Sequence, residues 1–290
     1  MKTVEFDSSS LGVTRIGPSL FEWKSRTYVM GIINTTPDSF SGDGVDGDLD
    51  VALKRALTFQ ECGADIVDVG GESTRPPDVY VGSTPVSEEE ELSRVIPVIE
   101  KLVTRLSIPI SIDTYKSRVA NEAIEAGASM INDVWGFKRD PDMMQLAADR
   151  KVPVILMHNQ DHLLYDDLVL DVINMMSRMR DDAVIAGIAA ENIILDPGLG
   201  FGKTAQHNLE IMRRLDEFDV LGQPILVGIS RKSTIGDVLD LPVHERMEGT
   251  AAAVALSISK GADIVRVHDV KEMARVTRMS DAIVRGWNNT

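Results

Sequence analysis

Short apolar runs recur along the whole chain, and segments with helical periodicity separate them. The runs cover residues 28–33, 66–69, 110–112, 130–131, 154–157, 193–195, 225–228 and 264–267. Runs this short and this apolar predict strands that are buried on both faces, as in a parallel sheet. The last helical segment carries apolar residues three or four positions apart, at Met273, Val276, Met279 and Ile283. This spacing predicts a helix with one apolar face turned toward the core.

The same short sequence joint precedes three of these runs. Residues 63–68, 127–132 and 261–266 each begin with Gly-Ala, continue through an apolar run and end on a polar residue, namely Asp68, Asn132 and Arg266. Glycine readily adopts the left-handed conformation that ends a helix, so the joint predicts a helix that stops just before a buried strand. Repeated joints of this kind are typical of an α/β fold.

Eight strand-and-helix units within about 250 residues predict a (β/α)8 TIM barrel, with a doubly wound open sheet as the alternative. Residues 1–27 precede the first run and are predicted to be a short N-terminal extension that closes the barrel floor, while residues 28–290 form a single barrel domain. Ser87 and Glu90 have the spacing of a capping box, which predicts a helix start. The acidic residues from Glu88 to Glu91 are then its charged first turn.

Composition narrows the class of protein. With 290 residues, 43% of them hydrophobic and 26% charged, the chain is expected to be globular. Its 45 acidic and 30 basic residues give a net charge of −15, which argues against nucleic acid and anionic membranes as partners. No apolar run approaches the roughly 20 residues of a membrane span. The single cysteine, Cys62, excludes an intrachain disulfide and fits a cytoplasmic setting.

Polar residues follow the strands, where barrel enzymes carry their catalytic groups. Those with positive charge are expected to form a basic mouth inside an acidic surface: Arg75, Lys203, Arg231, Lys232, Arg266 and His268. His158 and His162 lie four residues apart, but the glutamate of an H-E-x-x-H zinc motif is missing. We therefore expect both histidines to be solvated loop residues.

Seven segments, most of them at the ends of the predicted strands, together resemble the bacterial dihydropteroate synthases, a family of pterin-binding barrels. The matching segments are MGIINTTPDSFS at 30–41, GGESTRP at 70–76, SIDT at 111–114, INDV at 131–134, LDPGLGFGK at 195–203, SRKS at 230–233 and RVHDV at 266–270. They follow the family's order over almost the whole chain. The resemblance implies a transferase of folate synthesis that condenses a dihydropterin-CH2-diphosphate with p-aminobenzoate, giving dihydropteroate and pyrophosphate.

The resemblance also implies roles for individual residues. Those expected at the pterin are Asp113, Asn132, Met157, Asp196, Lys232 and Arg266. Those expected at the diphosphate are Asn34, Arg266 and His268, with Asn34 as the ligand of a Mg²⁺ cofactor. Those expected at p-aminobenzoate are Thr74, Arg75, Pro76, Phe201, Lys232 and Ser233. The residues expected to be catalytic are Asn34, Asp113, Lys232, Arg266 and His268.

Several expectations stay open at this point. One alternative function is that of a corrinoid-dependent methyltransferase that binds methyltetrahydrofolate, which would share the pterin-binding residues but needs no diphosphate site. A non-catalytic pterin-binding protein would not need residues 74–76. The segment 77–85 is longer than is usual in the family, so we hypothesise that the protein is a sulfonamide-insensitive variant. The resemblance further implies a homodimer formed through helices late in the barrel.

Overall fold

The computed structural model of the chain describes residues 12–36, 48–72 and 86–287. Its strands are β1 (Val13–Ile16), β2 (Ser19–Glu22), β3 (Tyr28–Asn34), β4 (Ile66–Gly70), β5 (Ile110–Asp113), β6 (Met130–Asp133), β7 (Val154–Met157), β8 (Ile193–Asp196), β9 (Leu226–Val227) and β10 (Ile264–Val267). Its α-helices are α1 (Leu49–Cys62), α2 (Glu88–Val103), α3 (Ser117–Glu125), α4 (Met143–Arg150), α5 (Leu168–Ile185), α6 (Ala205–Arg213), α7 (Ser233–Leu239), α8 (Met247–Ser259) and α9 (Val270–Val284). Short 3-10 helices cover Ala190–Asn192, Leu215–Leu221 and Val243–Glu245.

Strands β3 to β10 form a parallel barrel. Neighbouring strands pair in chain order from β3 to β8, and β10 pairs with both β9 and β3. The ring closes where Leu195 at β8 bridges Ile225, just before β9. The predicted barrel is therefore confirmed and the open doubly wound sheet is wrong. The glycines of the repeated joint have φ of 101°, 117° and 98° at residues 63, 127 and 261, as the helix-ending position requires.

The antiparallel hairpin of β1 and β2 covers the barrel floor, the end at which the strands begin. Its Ile16 and Phe21 are buried, and they belong to one apolar cluster with Met30 of β3, Ile66 of β4 and Ile264 of β10. The predicted closing of the floor is confirmed by this packing. The division of the chain into two units at residue 27 stays a prediction.

The apolar stripe predicted on the last helix faces the core only in its first half, at Met273 and Val276. Helix α9 buries Met273 and Thr277, whereas Met279 and Ile283 are exposed. A step of three residues turns a helix about 60° short of a full turn, so two such steps rotate the stripe by about 120° away from Met273. The small and polar residues at 274, 277 and 280 continue the buried face instead.

The start of α2 is partly as predicted. Ser87 caps it by accepting a hydrogen bond from the backbone N–H of Glu90 at 3.2 Å. Glu91 lies in the charged first turn as predicted, but it is buried and forms an ion pair with Lys116, which also pairs with Glu72. Among the helices of the described residues, none is both long and apolar enough to cross a bilayer.

Candidate active site

Side chains at every second strand position point to the same side of a sheet, so two inward layers can be followed up each barrel strand. The lower layer includes Ile66, Met130, Ile194 and Ile264, all fully buried. Two residues further along the same strands stand Asp68, Asn132, Asp196 and Arg266. The barrel interior therefore changes from apolar to polar within one step toward the mouth, the end at which the strands finish.

Arg266 lies between two buried carboxylates. Its Nε donates to Asp68 Oδ2 at 2.7 Å and its Nη2 donates to Asp113 Oδ2 at 2.6 Å. Burial opposes the charge of Arg266, but the two carboxylates outweigh it and raise its pKa. Burial raises the pKa of Asp113 to about 7 even though Arg266 lowers it. This pair of contacts fixes the guanidinium plane inside the polar layer.

Asp68 is a site residue that the sequence analysis missed. It is fully buried and accepts from Asn132 Nδ2 at 3.1 Å as well as from Arg266. The other candidates follow the apolar runs, whereas Asp68 lies inside the run 66–69. The signal that could have found it is the repeated joint, because Asp68, Asn132 and Arg266 are its three final residues and the fold brings them into hydrogen-bonding contact.

Two buried oxygens of this cluster have no hydrogen-bond partner among the described residues. They are Oδ1 of Asp68 and Oδ1 of Asp113. The buried hydroxyl of Ser111, which precedes Asp113 by two positions on β5, also lacks a hydrogen-bond partner among the described residues. Buried polar atoms are normally satisfied, so acceptors left open in a concave polar layer indicate a place for a ligand with N–H donors.

Asp196 closes the other side of the polar layer. Its Oδ1 accepts from the backbone N–H of Gly198 at 2.7 Å, and burial raises its pKa while Lys232 lowers it. We call residues 197–203 the β8 loop. Lys232 donates to the carbonyl of Leu199 in this loop, and its Nζ stands 4.6 Å from the centre of the Phe201 ring. Asp196, Lys232 and Phe201 therefore form one connected group.

The expected diphosphate residues lie at neighbouring strand ends. Asn34 is the last residue of β3 and is half-buried opposite Gly70 of β4. His268 follows β10, where its backbone N–H donates to Ser230 Oγ at 3.2 Å and its Nδ1 lies 3.0 Å from the same oxygen. Strand β3 pairs with β10, so Asn34 and His268 belong to adjacent strands.

The remaining expected residues divide into two groups. Met157 ends β7 and is buried in a small cluster with Val134 and Phe201, and Ser233 begins α7 directly after Lys232. The other group, Thr74, Arg75 and Pro76, lies outside the described residues, as does the long segment 77–85.

The expectation of a basic mouth is wrong for three of its members, the first being Arg266, which pairs with Asp68 and Asp113. Arg231 forms a two-pronged ion pair with Asp269, one arm being Nε to Oδ2 at 2.8 Å. Lys203 is buried, not exposed at the mouth. A chain with a net charge of −15 places carboxylates beside its strand-end cations as well as on its surface, and residue type alone does not reveal such pairing.

The expectation of two solvated histidines is wrong for His158. His162 is exposed, but His158 is 1% exposed and its Nδ1 lies 2.8 Å from Nζ of Lys203. Burial, with the nearby Lys203, moves the pKa of His158 far below its usual range, so the ring is neutral. The residues that follow His158, at 159–162, are all polar, which is why its burial between two loops was not foreseen.

Known proteins place this arrangement in a class. The sequence profile of the pterin-binding enzymes matches residues 30–268, so the barrel and its polar layer define a pterin-binding enzyme. A dihydropteroate synthase of Clostridium beijerinckii is 54% identical over 272 residues, which are 93% of this chain and 99% of that protein. The chain belongs to the dihydropteroate synthase family, transferases of folate biosynthesis.

Solved structures agree with this assignment. A dihydropteroate synthase structure from Clostridium difficile, determined in the presence of pteroic acid, superposes with a TM-score of 0.86 at 49% identity and covers 91% of this chain and 99% of that one. The Xanthomonas albilineans dihydropteroate synthase with 4-aminobenzoic acid gives a TM-score of 0.83 at 40% identity, covering 89% of this chain and 93% of that one.

Proposed function

We propose that this chain condenses a dihydropterin-CH2-diphosphate with p-aminobenzoate, and that its polar layer is the pterin pocket. The observation that carries the proposal is the cluster of Asp68, Asp113 and Arg266, whose carboxylate oxygens include two that lack donors among the described residues. The amino-pyrimidinone edge of a pterin presents adjacent N–H donors, which buried carboxylates accept in charge-assisted hydrogen bonds. Asp196 and Asn132 complete the pocket, Asp196 as acceptor and Asn132 as donor and acceptor.

Positive charge is needed where the diphosphate leaves. We assign this task to His268 and Arg266, with the side-chain amide of Asn34 beside them. As the C–O bond to the diphosphate breaks, negative charge grows on the leaving oxygen, and donors already in place stabilise it without rearrangement. The adjacent strands β3 and β10 bring Asn34 and His268 to one edge of the mouth, which suits a single anionic group.

A Mg²⁺ ion fits this corner of the site. Among the described residues, no group of three or more His, Cys, Asp or Glu side chains could hold a metal ion. Mg²⁺ commonly binds through one or two protein oxygens together with substrate phosphates and water, and Asn34 offers one such oxygen. Bound there, the ion would neutralise charge on the departing diphosphate.

The second half of the reaction joins the pterin methylene carbon to the amine of p-aminobenzoate. Loss of pyrophosphate leaves a resonance-stabilised cation, so we propose a dissociative course in which the C–O bond breaks before the C–N bond forms. An aromatic amine is neutral at neutral pH, so no strong general base is needed to activate it, and the amine loses its proton after the C–N bond has formed. Phe201, Lys232 and Ser233 would hold p-aminobenzoate together with residues 74–76.

The test is release of pyrophosphate from the purified protein with both substrates and saturating Mg²⁺. We expect release that requires p-aminobenzoate. A methyltransferase or a binding protein would bind pterin without releasing pyrophosphate, and that outcome would reject the proposal. Isothermal titration with pterin alone, run beside the assay, shows whether an inactive sample still has a folded pterin pocket.

Three further predictions concern the surroundings of the site. The long segment 77–85 motivates the sulfonamide hypothesis, and unchanged inhibition after shortening it would contradict that hypothesis. The homodimer would use exposed apolar residues of the late helices, among them Leu256, Met279 and Ile283, together with Trp287 just after α9. Sedimentation velocity of the protein with Ile283→Asp tests this interface.

A cytoplasmic location stays a prediction that fits a single cysteine.

A further inference from the structure

Lys203 is a buried lysine to which the proposed reaction assigns no task. Its side chain turns into the protein behind the β8 loop, and the residue is 8% exposed. Nζ lies 2.8 Å from Nδ1 of His158 and donates to the carbonyls of Gly198 and Phe201, both at 3.0 Å. A longer contact reaches the carbonyl of His158 at 3.5 Å. An ammonium group has three protons, and the three shorter contacts use all of them. A buried cation held by two backbone carbonyls of its own loop constrains the path of that loop.

His158 supplies the third acceptor from the neighbouring strand end. It begins the segment 158–165, which we call the β7 loop. Because the ring is neutral, one nitrogen carries the proton, and the short distance to an ammonium assigns the acceptor role to Nδ1. Lys203 therefore joins two loops: it is covalently part of the β8 loop and is hydrogen-bonded to the β7 loop.

The two loops lie against each other backbone to backbone. A Cβ atom added at Gly198 would stand 1.9 Å from the carbonyl oxygen of His158, and one at Gly202 would stand 2.5 Å from that of Gln160. The hydroxyl of Tyr165 also donates to the carbonyl of Gly202 at 2.7 Å. The β8 loop is therefore packed directly against the β7 loop at the place where Lys203 joins the two.

We propose that Lys203 is a positioning residue for the second substrate: its ammonium group fixes the β8 loop against His158 and so sets the place of the Phe201 ring. Lys232 holds the same loop from the mouth side through the carbonyl of Leu199. Phe201 therefore lies on a loop whose backbone carbonyls are hydrogen-bonded to two lysines. The inference rests on the proposed function, because it takes Phe201 to line the p-aminobenzoate pocket.

The charge of Lys203 gives this role a dependence on pH. Burial lowers the pKa of Lys203 to about 7, opposed by Asp196 and reinforced by Lys232 and Lys138. These groups and the neutral His158 are the titratable side chains that face it. As the pH rises through this value the ammonium loses a proton, and one of its three acceptors loses its donor. Affinity for p-aminobenzoate should therefore fall as the pH rises above about 7.

The experiment compares KM for each substrate, from pyrophosphate release, in Lys203→Met and in wild type. We expect the KM for p-aminobenzoate to rise about tenfold, while the KM for the pterin diphosphate changes less than about twofold. The rise of the p-aminobenzoate KM with pH in wild type should be absent from Lys203→Met. The matched control is Lys138→Met, which removes a half-buried lysine that donates to Asn159 of the β7 loop.

A pair of variants at His158 keeps the test decisive if Lys203→Met does not fold. His158→Asn retains an acceptor near the position of Nδ1 and should keep the wild-type KM, whereas His158→Leu removes it and should raise the KM for p-aminobenzoate. Equal changes in both KM values, or identical behaviour of the two His158 variants, would overturn the inference. Wild-type protein that releases no pyrophosphate would instead reject the proposed function.

Discussion

The floor and the mouth of the barrel are built from the same strands but satisfy their polar atoms differently. At the floor, Phe21, Trp23 and Tyr28 pack ring against ring, with centroids 4.6 to 5.7 Å apart. The indole N–H of Trp23 donates to Thr14 Oγ1 at 2.8 Å, and the hydroxyl of Tyr28 accepts from the backbone N–H of Glu22 at 2.8 Å. The polar atoms of these aromatic residues have partners within the hairpin.

At the mouth, buried polar atoms outnumber the donors that the described residues offer them. Asp68 and Asp113 share Arg266, yet each keeps one buried oxygen without a partner. An unsatisfied buried acceptor costs about 1 to 3 kcal/mol, so this layer does not contribute to stability as the floor does. The layer that stabilises the barrel and the layer proposed to bind the pterin are therefore separated by only two residues along each strand, which is roughly 7 Å.

The largest expected effect is a loss of stability when a buried side chain is removed from the floor. Phe21→Ala removes a fully buried ring and should lower the free energy of unfolding by about 3 to 5 kcal/mol. Urea denaturation measures this, and Leu20→Ala, at an exposed position of the same hairpin, is the control with a small expected effect. Both KM values of folded Phe21→Ala should match wild type. A variant of normal stability with altered KM values would show that floor and mouth are not separate in function.

A substitution at the mouth should have the opposite effect, weakening pterin binding while changing stability little. Asp196→Asn replaces a carboxylate that can accept two N–H bonds with an amide that cannot, and should weaken pterin binding about 100-fold, or about 2.7 kcal/mol. Thermal stability should change little, because removing a buried charge offsets a weakened bond to Gly198. Isothermal titration measures the affinity, with the exposed Asp161→Asn as control. Retained affinity would refute the role given to Asp196.

The contrast between floor and mouth was partly visible in the sequence. The eight apolar runs and the repeated joint predicted the barrel, since period and spacing depend only on neighbours along the chain. The joint even contained the polar cluster, because its last residues are Asp68, Asn132 and Arg266. That these three meet is a consequence of barrel closure, which no local pattern encodes.

What the sequence could not predict depends on packing between distant segments. Lys203 and His158 are typical of exposed loops by residue type, and both are buried because the glycine-bearing β8 loop approaches the β7 loop closely. Glu91 reads as part of an acidic helix start until Lys116, from the next unit, is placed beside it. Met279 and Ile283 fit a helical stripe, but the face of α9 that meets the barrel is set by the strands beneath it.

A smaller effect is expected at the edge of the mouth, where His268 should contact only the diphosphate. His268→Ala should weaken binding of the pterin diphosphate about tenfold, the cost of one charge-assisted hydrogen bond, and leave binding of the same pterin without its diphosphate unchanged. Titrations with the two ligands measure the difference. Equal losses for both ligands would place His268 at the pterin ring and extend the polar layer beyond Arg266.

The smallest effect tests whether the mouth detracts from stability at neutral pH. Because burial raises the pKa of Asp113 from 3.8 to about 7, the folded protein keeps a proton there that the unfolded chain has lost between these values. Unfolding then releases the proton, so the free energy of unfolding should fall as the pH rises, by about 1 kcal/mol or less per pH unit. In Asp113→Asn the contribution of Asp113 to the slope of unfolding free energy against pH should be missing. Burial also raises the pKa of Asp133 to about 6, but Asp133 contributes equally to the slope in both proteins. Urea denaturation at several pH values between 5 and 7 measures the two slopes. Coincident slopes would mean that Arg266 keeps Asp113 ionised between pH 5 and 7, and that its titration does not lower the stability of the mouth.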